Sequence, residues 1–340
     1  MPLNPSLSSV HVNQPLTNIS IAYTQSNTNF VADRVFPVVP VSKQSDTYFT
    51  YDREDWFRSE MRKRAPGTES AGAGYGVSTA LYSCDVFALH KDIADQIRAN
   101  EDTPLNSDRD ATEWLALQAK LKKESDFSAT YMAGGIWTYE ADGVASSPTA
   151  AGSFDPTNAS NNDKLQWNDA SATPIEDVRQ GKRFVMEKTG FTPNVMVMGQ
   201  AVFDSLIDHP DVIDRIKYGQ TAGGPALAGN QALAQIFGVD EILVGSGVQN
   251  TAAEGATEAN GFILGKHALL TYRAPRPSIM TPSAGYTFSW NGYLGGGNGA
   301  PQVSKFRMDH LKSDRIEAEM AYDQKLVAAD LGYFFDGIVA

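Results

Sequence analysis

The rhythm of apolar and polar positions changes several times along the chain, and each rhythm predicts an element. "NVMVMG" (Asn194–Gly199) is a short unbroken apolar run, as in a strand covered on both faces. "RIEAEMAYD" (Arg315–Asp323) alternates instead. Ile316, Ala318, Met320 and Tyr322 face one way and Arg315, Glu317 and Glu319 the other, which predicts a half-buried antiparallel strand. "DEILVGSGV", "GFILGKHALLTYR" and "LGYFFDGIVA" read as further core strands. A helical period runs through "SDRDATEWLALQAKLKKESDFSATYM", with Ala111, Trp114, Leu115, Gln118, Leu121 and Ser125 on one stripe. Asn106 or Ser107 can cap it, and Asp108 and Asp110 suit its first turn. Such a helix of about 25 residues spans roughly 37 Å, and its narrow stripe suits packing across the back of a sheet.

Between 172 and 238 helices and strands alternate. Thr173-Pro174-Ile175-Glu176 has the form of a capping box, and Gly190 stops the helix it opens. "QAVFDSLIDH" and "PDVIDRIKY" are short helices joined at His209-Pro210, and Gly238 ends a third. Earlier in the chain two β-prone runs, "DTYFTYD" and "STALYSCDVFALHKDI", flank the polar, glycine-rich stretch Arg53–Gly76. They predict a long hairpin, with Tyr82, Cys84, Val86 and Ala88 sharing one face. Its tip has few apolar residues and no private core. Residues 133–171 are dominated by Gly, Ala, Ser, Thr and Asn and are expected to be irregular. Residues 1–32 carry no Asp, Glu, Lys or Arg, which fits either a floppy terminus or an arm laid along a neighbouring subunit.

Composition narrows the function classes. The chain has 340 residues, with 40 acidic against 28 basic and a net charge of −12. Two packed lobes are expected from that length, and the average surface repels nucleic acid. Cys84 is the single cysteine, so no intrachain disulfide forms. No apolar run is long enough to span a membrane, and the first residues lack a secretory pattern. The five histidines are far apart in sequence and no CxxC or HExxH occurs, so neither a metal nor another cofactor is expected. Cys84 reads as a small buried hydrophobe. "AGAGYG" and "GYLGGGNG" each lead into a strand, and Gly199 stands alone after "NVMVM", so no phosphate loop is present. Arg58, Arg62, Lys63 and Arg64 form the notable basic cluster. A nucleic-acid patch, a solvated loop and an intersubunit contact all fit it. The contact is preferred, because a positive tip can steer toward the acidic surface of a neighbour.

The order of these parts resembles the major capsid proteins of tailed bacteriophages. "FVADRVFPVVPVSKQSDTYFTYDRE" is similar to that family's arm entering its extended loop. "YSCDVFALHKDIADQI" with "EWLALQAKLKKESDF" resembles the return strand and spine helix. "LQWNDASATPIEDV", "TGFTPNVMVMGQAVFDSLIDHPDVIDRIK" and "SDRIEAEMAYDQKLVAADLGYFFDGIV" resemble the axial domain and the closing strands. The resemblance implies an α+β fold with a long spine helix, an antiparallel peripheral sheet, an extended β-hairpin loop and an α/β axial domain. It divides the chain into an arm (1–50), extended loop (51–88), peripheral domain with the spine helix (89–135) and irregular insertion (136–171). An axial domain (172–300), peripheral strands (301–326) and a terminal strand returning to the axial domain (327–340) follow.

The implied function is self-assembly into pentamers and hexamers of an icosahedral shell around double-stranded DNA. Assembly would take place in the cytoplasm of a bacterial host, with no enzymatic activity. Arg58, Arg62, Lys63, Arg64, Gly72, Gly74 and Gly76 would serve intersubunit contact. Trp114, Leu115 and Leu121 would pack the spine helix, and Val195, Val197, Phe203 and Ile207 the axial core. Portal and decoration proteins are implied partners, with non-specific contact to the packaged DNA. Met1 leads straight into the arm with no helical assembly segment, which implies a separate scaffolding protein or none. Lys63 has no visible acceptor motif, so covalent cross-linking is not carried over. An encapsulin-like nanocompartment shell and an α/β nucleotide-binding enzyme built on Thr192–Gly219 are the alternatives.

Overall fold

A computed structural model describes residues 24–101, 105–146, 148, 162–219, 229–277, 281–294 and 299–340. Most of the uncharged arm therefore lies outside the described residues, as does much of the insertion.

Two sheets organise the molecule. The first has six strands in the order Lys164–Leu165, Tyr139–Val144, Gly332–Asp336, Ala268–Thr271, Val195–Gly199 and Glu241–Gly245. Its centre is apolar on both sides. Ala268 lies between Met198 and Phe335, while Leu269 lies between Val197 and Phe334. Successive residues point to opposite faces, so these two rows feed two cores. One core holds Met196, Met198, Leu270, Tyr333 and Phe335 under the helices Pro174–Thr189, Gln200–Ile207, Pro210–Gly219 and Asn230–Phe237. The other holds Val195, Val197, Leu269 and Phe334 against Phe127 and Tyr131 of the helix Ser107–Tyr131 and Val31, Val35 and Phe36 of the arm. The strand Val195–Gly199 is buried along its whole length, as its unbroken apolar run predicts.

The second sheet is built on the long strand Ser313–Leu326. Asp85–Ala94 pairs with it on one side; Gln302–Met308 and Gly285–Trp290 pair with it on the other, all antiparallel. Val38–Val41 adds a parallel edge to Gly285–Trp290. Gly285–Trp290 lies inside the stretch expected to be axial, yet it hydrogen-bonds in this sheet. Ile316, Ala318, Met320 and Tyr322 are all buried, on the face the helix covers.

The helix Ser107–Tyr131 serves both sheets. Its cap is Asn106, whose side chain accepts from the Arg109 N–H at 3.0 Å. Apart from Glu124, its buried residues recur every fourth position: Ala111, Leu115, Ala119, Lys123, Phe127 and Tyr131. Four residues turn about 400°, so this line advances by about 40° per step and winds about 200° around the helix. One straight helix thus faces the second sheet with its first half and the six-stranded sheet with its last turns. A stripe of fixed direction, as expected from sequence, puts Trp114 inside. Trp114 is instead 40% exposed, with the Lys91 ammonium 6.0 Å from its ring.

Three further differences from the sequence reading have local causes. The face shared by Tyr82 and Cys84 does not continue to Val86 and Ala88, which are exposed. The strand breaks at Cys84, whose N–H donates to Gln44 O at 2.8 Å, and the alternation changes sides there. Residues 136–171 are not all irregular: Tyr139–Val144 runs parallel to Gly332–Asp336, with Tyr139 and Ala141 in the core. The Thr173 side chain accepts no capping hydrogen bond, although Pro174 does occupy the first helical turn.

Candidate functional site

The hairpin exposes a run of large apolar residues. Ser45–Tyr51 and Val77–Ser83 form a two-stranded antiparallel ribbon that pairs with neither large sheet. One of its faces rests on the body through Tyr48 and Tyr82, which stack on Phe288 at 5.7 and 4.6 Å. The opposite face leaves Phe49 71% and Leu81 66% exposed, with Val77 beside them. Tyr51, Trp56 and Tyr75 cluster with ring centroids 5.5–6.1 Å apart. Single exposed apolar residues are ordinary; a run of large ones along one ribbon face marks an interaction surface.

Beyond the ribbon the loop has a partly built base and an open tip. Asp52 caps the short helix Arg53–Phe57, and Arg53 pairs with Asp330 of the body. Asp55 accepts from the Gly76 N–H at 2.8 Å and ties the two strands of the loop together. Arg58 pairs with Glu60 at 3.6 Å and Arg64 donates to Thr68 O. Arg62 and Lys63 are exposed, as is Met61 at 98%. Gly72 and Gly74 have no neighbour where a Cβ would stand, and Gly76 meets only Asp55. Gly67 turns the tip with a φ of +80°, a conformation that favours glycine. The four basic residues and these glycines are thus all on the projecting loop.

The spine and axial residues lie elsewhere. Leu115 is 1% exposed against Ile316 and Ala318, whereas Leu121 is half-buried. Val195 and Val197 are in the core between sheet and spine helix, and Phe203 and Ile207 pack at the edge of the core beneath the other helices.

In the strand–glycine–helix unit at 195–207 the backbone at Gly199 is closely packed. Gly199 donates its N–H to His267 O at 3.2 Å, and a Cβ there would overlap the carbonyl oxygen of Gly265. The φ of Gly199 is −72°, so glycine is needed for close backbone approach and not for an unusual turn. The joint that follows is capped by His209. Its Nδ1 accepts from the Asp211 N–H at 3.2 Å, and its Nε2 lies 3.1 Å from Asp169 O. The Cys84 thiol is buried, 3.7 Å from Phe288 O, and burial first, then Asp323 and Asp85, push it up to about 11. A thiol held neutral in this way is a poor nucleophile.

Two charged clusters, not visible in the sequence, hold the body together. Asp314 accepts from Arg98 at 2.6 Å and Arg307 at 3.1 Å, which holds its carboxyl down at about 2. Asp108 and Asp95 extend this network through Arg98, Lys305 and Arg307. At the middle of the spine helix Glu124 is 1% exposed. It accepts from the Val31 N–H at 3.0 Å and the Ala32 N–H at 2.8 Å, capping the short arm helix Ala32–Val35. Burial outweighs those bonds and pushes Glu124 up to about 7. Lys123 beside it pairs with Asp33 and donates to Gly299 O at 3.3 Å. Among the described residues no helix is long and apolar enough to cross a membrane.

A long helix crosses two sheets, with a projecting ribbon and the arm segment at its side. Known proteins share this arrangement. The family described as phage major capsid protein E matches residues 114–271. The major capsid protein of Burkholderia phage BcepMu is 25% identical over 98% of this chain and 98% of its own. A phage-related protein from Bordetella bronchiseptica RB50 has the same fold at a TM-score of 0.64 and 19% identity, covering 92% of this chain and 93% of that one. The mature capsid of bacteriophage PhiM1 gives 0.57 at 12% identity, over 96% and 92%. The SrpI encapsulin of Synechococcus elongatus PCC 7942 gives 0.52 at 11%, over 95% and 93%. The chain has the fold of tailed-phage capsid proteins and is similar in sequence to their major capsid proteins over nearly its whole length.

Proposed function

We propose that this chain is the major capsid protein of a tailed phage, assembling as pentamers and hexamers into an icosahedral shell around double-stranded DNA. The carrying observation is the hairpin. It spans Ser45–Ser83, exposes Phe49, Leu81 and Trp56, and has no core of its own. Such a ribbon gains its stability from a neighbour's surface, and many modest contacts of this kind add up in a closed shell. The basic tip supports the same reading: Arg62 and Lys63 are exposed on a chain of net charge −12. Repulsion between an acidic wall and the packaged phosphates favours a wall that does not grip the genome. On this reading the protein has no catalytic role, and the packed Gly199 corner argues against a nucleotide-binding enzyme. Scaffolding, portal and decoration proteins are its proposed partners, and assembly takes place in the host cytoplasm.

The test is direct. The purified chain, alone and with a candidate scaffolding protein, is expected to form closed particles under negative-stain microscopy. A chain that stays a compact monomer under every assembly condition contradicts the proposal. The encapsulin fold likeness carries a second reading, a protein-filled nanocompartment. Particles that purify with one cargo protein and no DNA would favour it.

A further inference from the structure

The axial lobe carries two unpaired surfaces of opposite charge. The first is a groove of about 440 Å³ between the helix Pro174–Thr189 and the end of the helix Asn230–Phe237. Arg179, Lys182, Arg183 and Met186 line one wall, Ile236 and Phe237 the other. Lys182 donates to Phe237 O at 3.2 Å and to Gly238 O, closing the C-terminus of the second helix. Burial lowers its pKa, with Asp240 opposing. Arg179 and Arg183 are exposed, and neither forms an ion pair with a described residue. Nearby, Glu187 is engaged by Lys188 at 3.7 Å, and Glu176 lies at the first turn of the helix.

The second surface is the outer side of the helices Gln200–Ile207 and Pro210–Gly219. Asp204, Asp208 and Asp214 are exposed there and Asp211 is half-exposed, beside exposed Ile213. None of the four pairs with a described cation; Asp204 accepts only from Gln200 at 2.7 Å. Arg215 lies on the second of these helices, so acids exceed cations along this face.

Resting on the shell reading above, we propose that the groove of one copy receives the acidic helix face of the next copy around a ring. Three observations select a second copy as the occupant. The charges are complementary, with Arg179 and Arg183 facing outward on one surface and Asp204 and Asp208 on the other. The groove pairs arginine and an exposed methionine with an apolar floor, the composition of a protein interface more than of a phosphate track. The two surfaces are different patches of one lobe, so their contact is heterologous. A heterologous contact closes into a ring when its rotation divides the circle, whereas a twofold dimer would require one patch to meet itself. Around the ring every copy gives one surface and receives through the other. Wrong orientations bring arginine against arginine or aspartate against aspartate, so charge also sets the direction of the ring.

The test is a charge reversal with rescue, in the full chain. Arg179→Glu with Arg183→Glu is expected to raise the protein concentration needed for oligomers and particles at least about tenfold, read by sedimentation and negative-stain microscopy. The pair Asp204→Arg and Asp208→Arg is expected to do the same. Combining all four inverts both surfaces and is expected to restore assembly. These side chains lie at the surface, so thermal unfolding of the free subunit should stay within a few degrees of wild type. Reversal variants that assemble like wild type overturn the inference and leave the shell reading standing. A fourfold variant that stays defective also overturns it. Loss of duplex-DNA binding in Arg179→Glu with Arg183→Glu, with assembly intact, assigns the groove to nucleic acid and overturns it as well. A wild-type chain that never oligomerises overturns both the shell reading and this inference.

Discussion

Glu124 and Asp314 respond to pH with opposite sign. Asp314 is held at about 2 by Arg98 and Arg307, so its contribution is present above the ordinary carboxylate range and is lost as pH falls toward 2. Glu124 is raised from 4.5 to about 7 by burial. The folded chain therefore keeps a proton there that the unfolded chain releases. Its contribution is complete below about 4.5 and is gone once the pH has risen through about 7, a swing of roughly 3 kcal/mol. The Glu124 carboxyl caps the arm helix, so the arm should dock less firmly as pH rises. Glu124→Gln keeps an acceptor oxygen and removes the titration. Its thermal midpoint should be nearly flat between pH 5 and pH 8, while that of wild type falls. Parallel slopes for the two proteins would contradict this. Little at this scale could be read in advance: nothing in "KKESDF" tells that Lys123 and Glu124 turn inward, because their partners, Asp33, Val31 and Ala32, are about ninety residues away in sequence.

The spine helix shows what periodicity reveals and what it hides. Its existence, length and Asn106 cap are legible, because they depend on neighbours in sequence. Its buried side is not, because the line Ala111–Leu115–Ala119–Phe127–Tyr131 winds as it passes from one sheet to the other. Leu115→Ala is therefore expected to cost about 2–4 kcal/mol, and Trp114→Ala less than about 1 kcal/mol, in chemical denaturation of the free subunit. Equal costs would mean that the helix presents a single fixed face. Cys84 teaches a similar lesson, since an alternating pattern that breaks in mid-strand reads as one face until the pairing with Gln44 is known. Tyr139–Val144 went unseen because "YEADGV" is short, polar in part and set in a stretch of small residues. What makes it a strand is the waiting edge of Gly332–Asp336.

For the whole molecule, the succession of hairpin, long helix, alternating helices and strands, and closing strands was legible, since each has its own pattern. Which strands share a sheet was not, because Gly285–Trp290 and Val38–Val41 pair across more than two hundred residues. The hairpin allows a test at this scale. Trypsin should cut the free subunit quickly at Arg58, Arg62, Lys63 and Arg64, all exposed, and spare those bonds in assembled particles. Equal cutting in both states would remove the hairpin from the assembly contacts. The six-stranded sheet has one more consequence. Gly332–Asp336 lies inside it, between Tyr139–Val144 and Ala268–Thr271, although it is the last of the six strands to leave the ribosome. Until it emerges, Tyr139–Val144 and its neighbour Lys164–Leu165 have no link to the other three strands, and the apolar rows of Val197, Leu269 and Met198 face an empty lane. A prematurely terminated polypeptide therefore cannot complete this lobe, and translation itself selects the copies whose six-stranded sheet can close.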